Sequence, residues 1–489
     1  MSVTVPGTAW SGTFNNANNF ALAQQIANSL VEANRLGNLV VTQYNGGAEP
    51  PPPTPGKLNE LVLGSAVSGQ MTVPGGSDGT GYVVVVDTDQ PMTIFGSANM
   101  SVLGGTGQVT VIDSGAVALA DMNSSTSGAN STVNLMSTDA GAVVAGNDGN
   151  DIMAAFGANQ SIGGGTGSNN MFALGSGDTI SAIGSHDTLS GGSSAATFMN
   201  SGSNALMFAA VGGGAIFDTG EQSTIVGSSG TLAVTTGGGR GVLFGGSGDM
   251  SVMDSGAATT IVGGSGAATV TATGSGELLG QQSGNMMFVG GDSASTVFGS
   301  AGSSATVDGG SGGVWYTDLG GSSTVVGGSG ISTLFGGAGG SMVYGGSVGG
   351  AQYMALSGSE TINAAGSSSG NLLVGGADAN GHDRMIGGSG NDTLVAGAAS
   401  STMTGGAGNN DFVFFRDHTA AAGNINIVTD FNSNDVVLLQ GYGSGQAATA
   451  LASAVTSSGS TTLTLSDNTK ITFVGLSGTG ELINHIASA

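Results

Sequence analysis

The chain has no cysteine, which removes disulfide scaffolds and thiolate metal sites. It has almost no positive charge: 6 Lys and Arg stand against 31 Asp and Glu, a net of −25. The cations Arg35, Lys57, Arg240, Arg384, Arg416 and Lys470 form no cluster in the sequence, so nothing is available to neutralise a phosphate backbone and nucleic acid is excluded as a partner. Proline is scarce and glycine follows no three-residue period, which excludes collagen. No window of about 18 apolar residues occurs, so no membrane span is expected. The N-terminus "MSVTVPGTAWSGTF" has no basic start and no apolar run of the kind a signal peptide carries. The four histidines (His186, His382, His418, His485) are scattered and form no H-E-x-x-H.

Glycine, by contrast, is abundant: 95 of 489 residues. Between the glycines come short apolar clusters such as "TLF", "MVY" and "NLLV". Disordered chains lack these; short strands punctuated by turns have them. "GGSGISTLF-GGAGGSMVY-GGS" restarts at Gly327, Gly336 and Gly345, a nine-residue step. "GGSG" begins at Gly245, Gly263, Gly309 and Gly327, where steps of 18 recur. Nine residues suit one strand and one turn. Two such units make a flattened coil with two strands facing across a thin core. The spacing therefore predicts an all-β parallel solenoid, a β-roll or β-helix. Val, Leu, Ile, Phe and Met are expected inward, Thr and Ser outward. Glycine is expected at the turns for its access to positive φ.

Residues 1–45 are poor in glycine. Phe20, Ala23, Ile26, Leu30 and Ala33 lie at spacings of three and four, one face of an amphipathic helix, and Gly37 is its expected stop. "GGAEPPPPTPG" makes 46–57 a Pro-rich spacer. The repeats fill 58–415. From 416 to 489 the glycines thin out. "NINIVTDFNSNDVVLLQGYG" reads as strand, turn, strand; "AATALASAV" as a short helix; "TTLTLSDNTKITFVGL" as a hairpin. This zone is expected to form a β-rich cap, which solenoids require at their ends. The spacer leaves residues 1–45 free to dock on a second copy and build a homopolymer, or to cap their own rod.

"GGSGNDTLV", from Gly387 to Val395, fits the nonapeptide G-G-x-G-x-D-x-U-x at every specified position. On these residues the chain resembles the RTX, or haemolysin-type, proteins. The resemblance implies a parallel β-roll in which calcium sits between two successive turns, held by turn carbonyls and the aspartate. One loop cannot supply six hard oxygens, whereas two stacked loops can. The implied ligand set at the first loop is Gly387, Gly388, Gly390 and Asp392. One coil on, Gly405, Gly406, Gly408, Asn410 and Asp411 form the partner loop, with Asn in the sixth place. Asp383 lies on the opposite edge. A second cluster comprises Asp148 and Asp151 in "GNDGNDIM", Asn169 one coil later, and Asp178 and Asp187 in "GSGDTI" and "GSHDTL". Turn residues bonded to their own backbone are the alternative reading of all these side chains. From about 195 to 374 the turns keep glycine and lose the motif aspartate, so those rungs are expected to fold without metal.

"VTDFNSNDVVLL", the hairpin and the apolar tail are similar to the segment that follows RTX repeats and carries the uncleaved type I secretion signal. The resemblance implies type I secretion machinery as a partner and an extracellular or cell-surface location. Together these readings predict a non-enzymatic structural protein that assembles into a filament, surface layer or matrix. An adhesin or other ligand-binding solenoid is the alternative, and a polysaccharide-acting β-helix enzyme a more distant one. "GGSGG" at 309–313 matches a nucleophile elbow in letters only.

Overall fold

A computed structural model describes residues 2–6, 11–13, 17–96, 100–104, 109–113, 117–120, 133–137, 140–146, 149–337, 342–344, 349–378, 380–398, 400–416 and 423–489. The chain divides into two compact units, Met1–Asp249 and Met250–Ala489. Each is a parallel β-solenoid. Successive strands alternate between two sheets, so each strand pairs with the strand one full coil away.

In the first unit the early coils vary in length, 23 residues from Asn59 to Tyr82 and 25 from Ala118 to Val143, and from Val143 onward the coil keeps an 18-residue register. Ile162, Ile180, Phe198, Ile216 and Val234 stack in the first sheet. Met171, Leu189, Met207, Ile225 and Leu243 stack in the second. All ten are buried. The short strands leave one or two inward positions per rung, and one large apolar side chain fills each. Each contributes roughly 1.5–3 kcal/mol of burial, so the core grows rung by rung.

The outward positions differ from expectation. Thr and Ser do not monopolise them: Met199, Phe208, Phe217 and Phe244 all point to solvent and are substantially exposed. Strand alternation places every second residue outward whatever its polarity.

The helix α1, Ala17–Arg35, forms where the periodicity placed it. It ends in a left-handed turn at Gly37 (φ +67), with the Asn38 N–H reaching Ala33 O at 2.8 Å. Its apolar face (Ala23, Ile26, Ala27, Leu30) packs on Val62, Val83, Val85 and Leu103 of its own first sheet. A hairpin of Ser2–Thr4 and Ser11–Thr13 contributes Val3 and Val5 to the same cluster. The proline spacer therefore does not hold the segment away from its own rungs. Tyr82 Oη donates to Pro51 O at 2.8 Å, which ties the spacer down. The solenoid also begins earlier than the composition shift suggested: Leu39–Tyr44 already pairs in parallel with Leu58–Leu63. Glu60 lies on that strand, fully buried.

The second unit repeats the architecture, again with coils of unequal length. Coil steps in its second sheet are 18 residues from Leu278 to Thr296, 19 from there to Trp315, and 21 from Leu372 to Thr393. The expected cap continues the solenoid before closing it. Ile425–Val428 pairs with Ser400–Thr404, and Val436–Gln440 with Asp411–Phe415. Lys470–Val474 then folds back on Ser460–Thr464 as the expected hairpin, with Leu463 opposite Ile471. The short helix α2, Gln446–Ala452, lies where "AATALASAV" placed it. Among the described residues no helix is long and apolar enough to cross a membrane.

Candidate functional site

At several corners where the chain leaves a turn and enters a strand, one backbone N–H faces the next rung before the ladder has begun. A buried N–H needs an acceptor. A side-chain oxygen one rung on supplies it. Asp151 N donates to Asn169 Oδ1 (3.0 Å), and Asn169 N to Asp187 Oδ1 (2.7 Å). In the second unit Asn371 N donates to Asp392 Oδ1 (2.8 Å), Asp392 N to Asn410 Oδ1 (3.0 Å), and Asn410 N to Asp435 Oδ1 (2.9 Å). The opposite corner follows the same rule: Gln160 N to Asp178 Oδ1, Glu360 N to Asp383 Oδ1, and Ser401 N to Asn426 Oδ1.

The second oxygen of Asp392, of Asp178 and of Asp383 turns back into its own loop, whereas Asp187 Oδ2 is buried without a partner. Asp392 Oδ2 accepts from Gly388 N at 2.6 Å, Asp178 Oδ2 from Gly175 N at 3.0 Å, and Asp383 Oδ2 from Gly376 N at 2.7 Å. The asparagines use their amide nitrogens differently. Asn169 Nδ2 donates to Gly165 O (3.2 Å), Gly167 O (3.1 Å) and Asp187 Oδ1 (3.0 Å). Asn371 Nδ2 donates to Ser369 O (3.0 Å) and Asp392 Oδ1 (2.7 Å). Asn410 Nδ2 donates to Asp435 Oδ1 (3.1 Å). The result is two columns, Asp151–Asn169–Asp187 and Asn371–Asp392–Asn410–Asp435, in which acid and amide alternate.

All seven side chains are buried. Burial pushes the Asp187, Asp392 and Asp435 carboxyls above the usual carboxylate range, and the N–H donors pull each partway back.

The nonapeptide glycines do two different jobs. A Cβ at Gly387, Gly388 or Gly390 would run into backbone of a neighbouring rung, Gly405 O, Ser367 O and the Ser369 carbonyl respectively. Close approach requires glycine there. In the partner loop Gly406 and Gly408 have φ of +86° and +94°, where positive φ is also needed; Gly405 faces Asn410 and Phe412.

Of the residues singled out from sequence, Asp392 and Asn410 do stack one coil apart, as do Asp151 with Asn169 and Asn169 with Asp187. Asp178 and Asp383 lie on the other corner of their coils. Asp411 does not enter the column: it opens the strand Asp411–Phe415, opposite Thr393. Asp148 lies outside the described residues. Asn371 and Asp435 were missed because their rungs are 21 and 25 residues from Asp392 and Asn410, not 18. The stretch from 195 to 374 holds further buried acids: Asp218, Asp254, Glu277, Asp318 and Glu360. Asp218 and Asp254 close their strands and Asp318 follows one, whereas Glu277 and Glu360 stand directly before the strands Leu278–Gly280 and Thr361–Asn363, as Asp392 does before Thr393–Val395. Glu360 and Asp383 are thus two acids on successive rungs of one corner. Asp218 Oδ1, for example, accepts from Asn200 Nδ2 (2.7 Å), Gly220 N (3.0 Å) and Ser223 Oγ (3.2 Å).

Calcium takes six or more oxygens, with carboxylates supplying the charge. The donor set at the Asp392 corner does not fit it. The oxygens of Asp392 already accept from the N–H groups of Gly388 and Asn371 and from the Asn371 amide, whose hydrogens occupy the space a cation would need between the two loops. Among the described residues no three Asp, Glu or His side chains converge closely enough to hold a metal. No family model matches the chain, and a comparison with curated proteins gives no match.

Proposed function

We propose that the protein is a non-enzymatic structural solenoid that assembles laterally with further copies of itself. The observation that carries this reading is the relief of the outward face of the second sheet in the first unit. Phe172, Ser190, Phe208, Val226 and Phe244 form one outward column, in register. Asn170, Thr188, Leu206, Thr224 and Val242 form the column beside it. Bulky rungs alternate with smaller ones, so ridges recur every two rungs, about 9.6 Å apart. Phe208 and Phe244 are 40% and 43% exposed. Such a surface is self-complementary: moved along by one rung, a second copy sets its ridges in these furrows. Neither column carries a charge, whereas the chain as a whole carries −25. Copies that repel elsewhere can approach here. The area is small against the roughly 800 Å² per partner of a standard interface. Single contacts are therefore weak, and repetition along the sheet supplies the stability.

The apolar face of α1 is covered by its own rungs, which favours this sheet over the N-terminal segment as the assembly surface. The similarity of "VTDFNSNDVVLL" and the following hairpin to type I export segments supports an extracellular site of assembly. The corner carboxylates bonded to turn backbone support a structural role for them over a catalytic one.

Sedimentation velocity over a concentration series tests the reading. The wild-type chain is expected to form concentration-dependent oligomers, and Phe208→Asp with Phe244→Asp to remain monomeric with an unchanged circular dichroism spectrum. A wild type that stays monomeric at the highest attainable concentration overturns it. A second reading, an adhesin, is favoured by one observation in the second unit. Trp315, 53% exposed, lies against Phe335 with ring centroids 6.1 Å apart. Such a platform suits the flat face of a sugar ring. Retention on insoluble polysaccharide that is lost in Trp315→Ala would favour that alternative.

A further inference from the structure

We propose that the side-chain amides of Asn169, Asn371 and Asn410 take the place of a cation, and that these turns are built to fold without metal. The inference is independent of the assembly reading.

The surroundings of Asn169 Nδ2 are the first argument. Its neighbours at 3.0–3.2 Å are two turn carbonyls, Gly165 O and Gly167 O, and one carboxylate oxygen, Asp187 Oδ1. An all-oxygen set of carbonyls and a carboxylate from two stacked loops is the set a hard cation collects. Here an NH2 group sits among the oxygens and donates to them. Asn371 Nδ2 repeats the pattern with Ser369 O and Asp392 Oδ1. Outside the nonapeptides the same solution recurs. Asn200 Nδ2 meets Gly202 O (2.9 Å) and Asp218 Oδ1 (2.7 Å), and Gln281 Nε2 meets Gly264 O (3.2 Å) and Gly266 O (2.9 Å).

Alternation along the columns is the second. Rungs are about 4.8 Å apart. Carboxylates on adjacent rungs, buried at that distance, repel strongly unless a cation or a proton separates them. In Asp151–Asn169–Asp187 and Asn371–Asp392–Asn410–Asp435 no two acids are adjacent. A neutral amide stands between every pair and donates a charge-assisted hydrogen bond to the next acid. The column is thus neutralised by dipoles instead of ions, and the oxygen of each amide still serves the N–H one rung back.

The consequence is a directed conversion. Asn410→Asp would place three carboxylates on successive rungs, at Asp392, 410 and Asp435, with backbone N–H groups but no side-chain donor between them. Asn169→Asp would do the same with Asp151 and Asp187. Each variant is expected to become calcium-dependent. The experiment uses the full chain in four forms: wild type, Asn410→Asp, Asn169→Asp and the uncharged control Asn410→Ser. Thermal melts are followed by circular dichroism with chelator, with excess calcium and with excess magnesium, and tight calcium sites are counted by calorimetry. The wild type should melt at the same temperature in chelator and in calcium. Each Asp variant should melt earlier in chelator, recover in calcium and gain one tight site. Asn410→Ser should be weakened equally in every condition. A wild type that loses its melting transition or its β spectrum in chelator overturns the proposal. So does failure of both Asp variants to respond to calcium, or rescue of Asn410→Ser by calcium.

Discussion

Asn410 Nδ2 lies 3.1 Å from Asp435 Oδ1, across a rung of 25 residues. The same carboxylate oxygen accepts the Asn410 backbone N–H at 2.9 Å. One oxygen thus satisfies both donors of the residue stacked beneath it. Asp392 does the same for Asn371, and Asp187 for Asn169. This two-donor clasp is the repeated unit of the corners, and it persists where the length of the rung does not.

Removing a clasp strands its donors. Asp392→Ala leaves the Asn371 N–H and the Gly388 N–H without an acceptor, and the Asn371 amide with Ser369 O alone. Each buried orphan costs about 1–3 kcal/mol. Hydrogen exchange should show the amides of Asn371 and Gly388 losing protection, with rungs several coils away unchanged. Unaltered exchange at both amides would contradict the assignment.

Glu60 gives the first unit a pH dependence. Burial raises its carboxyl from the ordinary 4.5 to about 7. The folded state therefore holds a proton that the unfolded state has lost, between pH 4.5 and about 7. Its contribution to stability is complete below 4.5 and disappears as pH rises through 7, with a slope of up to about 1.4 kcal/mol per pH unit. Glu60→Gln should remove that part of the slope and be more stable than wild type at pH 8. Parallel wild-type and variant stability curves from pH 5 to 8 would refute it.

The docking of α1 rests on few side chains. Leu30 is fully buried in the cluster with Val62 and Val83. Leu30→Ala should weaken docking by roughly 2–5 kcal/mol. Limited proteolysis should then cut within residues 17–35 faster, while the solenoid resists. Equal cleavage rates would show that the hairpin, not the helix face, holds the segment.

Two glycines of the second unit, Gly390 in a turn and Gly280 at the end of a strand, should respond differently. At Gly390 a Cβ meets the Ser369 backbone, so Gly390→Ala should cost about 1–3 kcal/mol. At Gly280 nothing lies within 4 Å, so Gly280→Ala should be neutral or slightly stabilising, by up to about 1 kcal/mol. Denaturant unfolding of the two variants separates close approach from glycine content as the reason for the composition.

Much was legible in the chain because a solenoid is local. The 18-residue spacing of "GGSG" determined which strands pair, since one coil returns to the same edge. The three-and-four spacing of Phe20 to Ala33 determined α1, and the alternation around "SDNT" the closing hairpin. Other features depended on contacts that spacing does not record. Rungs of 21 and 25 residues hid Asn371 and Asp435, because an inserted loop shifts the count without shifting the stack. The side on which α1 packs was open in the sequence, since an apolar face fits its own sheet or another chain equally well; the position of Val62, Val83 and Val85 on the same outer surface decided it. The nonapeptide determined that Asp392 sits at a buried corner. Only the tertiary structure decided what faces it: the donors of Asn371, brought there by stacking, turn a carboxylate that could have met a cation into the acceptor of a hydrogen-bonded column.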